Sequence, residues 1–332
     1  MIFRLFRSSH PLVFLYLLLY AFLLKGLFFV VPFPEQAFFT NALAGNWLHN
    51  LILMQAGWVR ALEAILLVYA QALLVNHIHT RFQLTERQTF IPGFLFITVT
   101  SLLPASLILT PVMLSYLFVL LAIRELFLLP LSNITSERLF YTSFFLGISA
   151  MLYWPATIFL AVVLVGLILF ARAGWREIAI ILIAFVMPFY FLGIYFYYQD
   201  RLFEYTTLLR SVFPELNLTM DFSLMEWTLI GYIVLLLIYG YFEIHKNSGS
   251  YVIKLKRYYS HTQYSLLILL IPVLFIQGEK LFYLYFFSFP VTVFLVPLFN
   301  RDKPGWFRTA LFLLLILSAA YFQWQYIATG QI

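Results

Sequence analysis

A single carboxylate, Glu35, follows a long apolar run in the stretch "PFPEQAFFTNALAGNWLHN", residues 32 to 50. Pro32 and Pro34 restrict the backbone on either side of Phe33, so the acid is held close to the end of that run. A carboxylate so placed can act as a general base or bind a divalent cation beside lipid head groups. The residues after it are too apolar to float free and too interrupted to span a bilayer, which predicts an amphipathic helix lying on the membrane surface. On that helix Asn46, His49 and Asn50 share one face at i, i+3, i+4 spacing and can line the acceptor side of a site.

A second stretch with chemical potential is "YYQDRLFEYTTLLRSVFPELNLTMDFSLMEW", residues 197 to 227, where Arg201 or Arg210 can grip a phosphate bidentately. Lys25 lies inside the first apolar run; a charge at such depth faces the protein interior and often marks a functional pathway. Arg124 and Glu125 lie near the end of another run, within reach of the interface. Arg60 and Glu63, three apart, are expected to form a same-face ion pair. No Gly-rich phosphate loop, H-E-x-x-H or G-x-S-x-G occurs. Cysteine is absent, which removes disulfides, thiolate metal sites and thiol nucleophiles.

The elements that must position these groups follow from composition. The chain is 63% hydrophobic and 10% charged, far from the roughly 25% charged residues of soluble domains. Several runs exceed the ~20 apolar residues that cross a hydrocarbon core of ~30 Å, and the connectors between them are short. Runs such as "YIVLLLIYGYF" and "ALFLLLILSAAYF" are apolar on every face, which excludes the alternating pattern of a barrel and leaves helices. The prediction is an all-α polytopic transmembrane bundle, one integral domain over residues 1–332.

The number of crossings turns on residues 139–171. A continuous helix there would be about 48 Å long at ~1.5 Å per residue, well beyond the bilayer core. Pro155, preceded by the interfacial aromatics Tyr153 and Trp154, offers a turn at the membrane surface. Charge supports the turn. With two spans, one side holds Arg4, Arg7, Arg81, Arg87, Arg138, Arg172, Arg176, Lys246, Lys254, Lys256, Arg257, Arg301, Lys303 and Arg308, and the other only Arg60, Arg201, Arg210 and Lys280. With one span every later loop changes sides and the asymmetry vanishes.

The same reasoning divides 90–129 at Pro104 to Pro111 and 263–298 around "QGEK". It yields about eleven spans, with the N-terminus in the cytoplasm and the C-terminus outside. The segments are 11–31, 57–76, 90–106, 110–129, 139–153, 155–171, 177–197, 227–243, 263–277, 280–298 and 307–324. Two outward loops remain, 32–56 and 198–226. The basic inward loop "IHKNSGSYVIKLKRYYSHTQ" is read as a topological anchor, with contact to anionic lipid as its functional alternative. The net charge of +6 is explained by this inward bias, so nucleic acid is not expected as a partner.

The stretch "FFLGISAMLYWPATIFLAVVLVGLILF", then "ARAGWRE", then "IAIILIAFVMPFYFLGIYFYY", resembles the middle of the GT-C class of membrane glycosyltransferases. The first outward loop with its surface helix, and an acid after the first span, resemble that class too. The resemblance covers residues 1–200 and implies a polyprenyl-phosphate-linked sugar donor used at the outer face of a bacterial cytoplasmic membrane, with Glu35 in the position of the catalytic acidic residue. The chain departs from the class in carrying Glu35 alone where many members have paired acids, and in having no acid in "LLPASLILTP". It also resembles uncharacterised small multi-pass bacterial envelope proteins. The expected function is therefore sugar transfer from a lipid-linked donor; a non-catalytic subunit of an envelope or secretion assembly, with protein partners, and a transporter are the alternatives.

Overall fold

The computed structural model describes residues 6, 12–26, 57–85, 89–103, 106–107, 109–131, 135–170, 174–211, 224–246, 249, 251–273, 280–300 and 305–329. Among these residues all regular structure is helical. In chain order the helices are α1 (Leu12–Lys25), α2 (Gly57–Arg81), α3 (Ile91–Thr100), α4 (Pro111–Leu128), α5 (Thr135–Leu152), α6 (Phe159–Phe170), α7 (Trp175–Tyr198), α8 (Leu202–Ser211), α9 (Leu224–Lys246), α10 (Ile253–Val273), α11 (Ser288–Phe299) and α12 (Trp306–Thr329). A 3₁₀ turn, Trp154–Ile158, leads into α6. A helical turn, Lys280–Tyr283, and a 3₁₀ turn, Leu284–Phe287, lead into α11.

Among the described residues, five helical stretches are long and apolar enough to cross a membrane: Gly57–Arg81, Pro111–Leu131, Trp175–Tyr198, Glu226–Lys246 and Trp306–Gln325. Four shorter apolar ones accompany them: Leu12–Lys25, Ile91–Thr100, Trp154–Phe170 and Leu284–Phe299. A helix lies on each segment that hydropathy singles out, but the ends move. α2 continues to Arg81, α5 begins at Thr135 and α10 begins at Ile253, each carrying polar residues into a helix that hydropathy alone truncates. α3 ends at Thr100, short of the expected 106.

The chain reverses at the Tyr153 to Pro155 break. Tyr153 is extended at φ −149°, ψ 106° and caps the next turn, because Pro155 has no N–H to continue the α5 ladder and its ring would clash with the Met151 carbonyl. On one side of the break, Ser149 of α5 meets Ser115 of α4 at 2.7 Å, and Arg138 meets Glu125 at 2.6 Å, so α4 and α5 are antiparallel. On the other side Phe170 of α6 packs on Phe127 with ring centroids 5.7 Å apart, and a Cβ at Gly166 would lie 2.7 Å from a Leu126 methyl. α6 therefore runs back alongside α4, and α5 with α6 forms a hairpin.

The layering is set by burial. All ten residues of α3 are buried, as are all residues of α11 except Pro297. These two helices are enclosed on every side, which is why neither shows a polar face. Around them, α7, α9 and α12 keep exposed apolar faces, including Leu182, Ile183 and Val186; Val234, Leu235 and Ile238; and Leu313, Leu314 and Leu317. Such faces suit contact with hydrocarbon rather than water. Close crossings use glycine: a Cβ at Gly147 would collide with the Phe185 carbonyl and approach the Pro188 ring to 2.9 Å. In an apolar solvent, packing of this kind supplies the attraction between helices that the hydrophobic effect no longer provides.

Neighbour contacts give the bundle two ends. Phe82, Phe127, Phe170 and Tyr258 cluster at one, and the described cations Arg81, Arg124, Arg138, Arg176, Lys246, Lys254, Lys256, Arg257 and Arg308 belong to it. We refer to it as the basic end. Lys25, Arg60, Arg201 and Lys280 belong to the opposite end.

Candidate functional site

Lys25 closes α1 at the opposite end and is 1% exposed. Its Nζ donates to the Ser106 carbonyl at 2.8 Å. The Ser106 hydroxyl donates in turn to the Thr100 carbonyl at 2.6 Å, and Gln323 Nε2 donates to the Ser101 carbonyl at 3.0 Å. The last carbonyls of a helix have no partners within it and carry partial negative charge. The Ser106 hydroxyl and Gln323 thus tie off the C-terminal end of α3, and Lys25 holds the connection that follows it through the Ser106 carbonyl. Lys25, expected to face the protein interior, is buried there and engaged by a backbone carbonyl.

Arg201 is paired with Glu204 at 3.4 Å, both side chains being more than half exposed. It sits just beyond α7, whose end is a Schellman turn: Arg201 N–H reaches the Phe196 carbonyl at 2.9 Å, Asp200 N–H reaches the Tyr197 carbonyl at 3.1 Å, and Asp200 takes φ 55°. The expected loop then folds into α8. Tyr205 of α8 donates to the Phe189 carbonyl at 2.9 Å, and its ring stacks on Phe196, with Gly193 leaving it room. Desolvation of this hydroxyl pushes the Tyr205 phenol above its ordinary pKa. Arg210 is carried on the same helix. Glu35, Asn46, His49 and Asn50 lie outside the described residues. Among the described residues no three His, Asp or Glu side chains group as a metal site.

The expected Arg60–Glu63 pair is not formed. Arg60 Nε and Glu63 Oε2 are each buried without a hydrogen-bond partner among the described residues. Among the described residues, the ion pairs that hold a buried acid are at the basic end. Glu125 is held by Arg138 at 2.6 Å and by its neighbour Arg124 at 3.4 Å. Glu243 of α9 is held by Arg308 of α12 at 3.3 Å. Arg308 also donates to the Tyr239 hydroxyl at 3.3 Å.

The bundle centre is polar at one level. Gln71 of α2 donates to the Met113 carbonyl at 2.7 Å and accepts from the Tyr285 hydroxyl at 2.6 Å. Beside it the Tyr116 hydroxyl accepts from the Phe289 amide at 2.8 Å, where the turn before α11 leaves that amide without a helical partner. Each of these groups is buried. Lower on α2, Asn76 Oδ1 and His79 Nε2 are buried without a hydrogen-bond partner among the described residues.

A cavity of about 600 Å³ lies between α9, α10 and the turn into α11. Leu229, Ile233 and Leu237 form one wall, Leu266, Leu270 and Val273 a second, and Leu284, Phe287 and Val291 the floor, with Val99 and Leu103 behind. Ser288 supplies its polar edge and Trp227 stands at its mouth. Ser288 itself donates to the Tyr285 carbonyl, leaving little polar surface for a ligand. Trp227, Val234, Leu270 and Ile271 are each between 44% and 52% exposed, so the cavity opens sideways onto the apolar faces of α9 and α10. Its lining comes from the end of α3, the start of α9 and the end of α10, which places it in the half of the bundle that holds Lys25.

Sequence reasoning did not find this cavity, because its walls are ordinary aliphatic residues drawn from four separate segments. Comparison with protein families, with curated proteins and with solved structures returned no match to this chain.

Proposed function

We propose that this chain is a multi-pass integral membrane protein that takes the long apolar tail of a lipid into the lateral cavity, and that the lipid is a polyprenyl-phosphate-linked sugar whose glycosyl group is transferred at the outer face. The observation that carries the reading is the cavity: about 600 Å³, apolar almost throughout and open to hydrocarbon. A hydrocarbon chain is the one abundant partner that such a wall meets in a bilayer, and close packing rather than release from water would hold it there.

Orientation follows from charge. The alternating helix directions support the eleven-span topology, and the concentration of Lys and Arg at the basic end supports assigning that end to the cytoplasm. The cavity then belongs to the outer half of the bilayer, the half in which a lipid-linked donor presents its phosphate to outward residues. Glu35 is the base or cation ligand of this proposal, with Arg210 and the side chains of Asn46, His49 and Asn50 around the reacting groups. Arg201, already engaged by Glu204, contributes only if that exposed pair opens.

Two measurements separate the parts. Mass spectrometry of lipids retained by the purified full-length protein tests the cavity: a long isoprenoid or acyl lipid retained in stoichiometric amount supports it, and no retained lipid overturns it. Incubation with a polyprenyl-phosphate sugar and Glu35→Gln as control tests the chemistry. Transfer that persists unchanged in the variant removes Glu35 from the reaction, and binding without transfer leaves a lipid-binding subunit.

A further inference from the structure

We infer that the basic end carries a second, separate site for a phosphate-bearing anionic group, formed where the start of α10 meets the ends of α4 and α6. A cavity of about 330 Å³ is lined there by Pro130, Phe170, Val252, Ile253, Lys254 and Arg257. The lining joins two cations to four apolar residues, unlike that of the lateral cavity, and three parts of the fold contribute to it.

The cations are placed for a ligand. Lys254 and Arg257 are three apart and share a face of α10. Neither takes part in any ion pair among the described residues, whereas Arg124, Arg138, Arg201 and Arg308 all do. Lys254 also lies in the first turn of a 21-residue helix, where the leading backbone N–H groups lack helical acceptors and the local potential is positive, and Arg257 follows just beyond it. Phosphate oxygens can take a guanidinium fork from Arg257, a point charge from Lys254 and amide hydrogens from this turn.

The apolar half identifies the bearer. Val252 and Ile253 are 73% and 70% exposed at the edge of the bundle, and Phe170 and Pro130 form the wall behind the cations. A phosphate on glycerol, with acyl chains leaving over Val252 and Ile253, matches both halves. Basic pockets between spanning helices hold anionic head groups in this way. The site is independent of the lateral cavity, which is lined by the other end of α10.

The test uses the full-length protein in a neutral detergent, with thermal unfolding followed by tryptophan fluorescence during titration with dihexanoyl-phosphatidylglycerol. The parallel arms are dihexanoyl-phosphatidylcholine and inorganic phosphate. A saturable rise in Tm with phosphatidylglycerol, weakened about tenfold by Lys254→Gln with Arg257→Gln, is the expected result. The control pair Arg176→Gln with Lys246→Gln, at the same end but outside the cavity lining, should leave it unchanged. An equal saturable response to inorganic phosphate, lost in the same double variant, supports the phosphate site and assigns its ligand to free phosphate. If the double variant does not fold, Ile253→Glu at its exposed position must weaken the phosphatidylglycerol response. The proposal is overturned if the site variants respond like the parent, if phosphatidylcholine acts as strongly, or if the control pair weakens the response equally.

Discussion

The Tyr285 hydroxyl donates to Gln71 Oε1 at 2.6 Å, joining two residues separated by 214 positions in sequence. The bond ties the turn before α11 to the middle of α2, and Gln71 passes the connection on to α4 through the Met113 carbonyl. Tyr285→Phe removes the donor and leaves a buried amide oxygen unpaired. A loss of about 1 kcal/mol is expected, the range of interhelical hydrogen bonds in membrane proteins. Reversible unfolding in mixed micelles measures it. A double-mutant cycle with Gln71→Leu should return a coupling of the same sign, and a coupling of zero would show the contact to be energetically idle.

Two glycines on lipid-exposed helices should respond in opposite directions. A Cβ at Gly147 strikes the Phe185 carbonyl and the Pro188 ring, so Gly147→Ala forces α5 from α7 and should cost about 1–3 kcal/mol. Gly231 lies within α9 with open space around it, and Gly231→Ala should stabilise by about 0.5–1 kcal/mol through helix propensity alone. The same unfolding assay reads both. Equal effects would mean that the α5 to α7 crossing is looser than described.

What the sequence made legible was the class and the reversals. Apolar length gave helices, and Pro155 with its preceding aromatics gave the turn at Tyr153, because a proline cannot continue the hydrogen-bond ladder of the helix before it whatever surrounds it. The ends of α2 and α10 were misjudged because Asn76, His79, Tyr258 and His261 read as polar, yet each is buried against the bundle, with His261 reaching the Val162 carbonyl at 3.2 Å. Lys25 is legible as a deep charge, whereas what it touches is not, because depth shows in a sequence and partners do not. Its acceptor, Ser106, is 81 residues away. The lateral cavity was invisible for a related reason: a gap between aliphatic side chains has no motif, and only packing creates it.

The two buried acid and arginine pairs are unequal in a testable way. Glu125 has a second cation, Arg124, when Arg138 is removed. Arg308 and Glu243 lie deeper, with 13% and 7% of their side chains exposed, against 32% for Arg138. Arg308→Ala should therefore cost toward the ~3–5 kcal/mol of a broken buried pair. Arg138→Ala should cost about 1 kcal/mol, nearer to an exposed one. Expression level and Tm in detergent rank them, and the reverse order would locate the main anchor of the basic end at α4 and α5.

The lateral cavity gives a functional prediction that avoids Glu35 altogether. Leu237 lines the wall on α9, is half-buried and makes no polar contact that the fold needs. Leu237→Trp adds an indole to that wall, filling space that the tail of a lipid would take, while the apolar character of the face is kept. If a tail occupies the cavity, the variant should fold with a Tm close to that of the parent, yet retain severalfold less long-chain lipid after purification. A shortened isoprenoid analogue should lose less affinity than a full-length one, because the restriction acts on the tail and not on the phosphate. Unchanged lipid retention in a well-folded Leu237→Trp protein would place the lipid elsewhere on the bundle and withdraw the cavity from the proposed function.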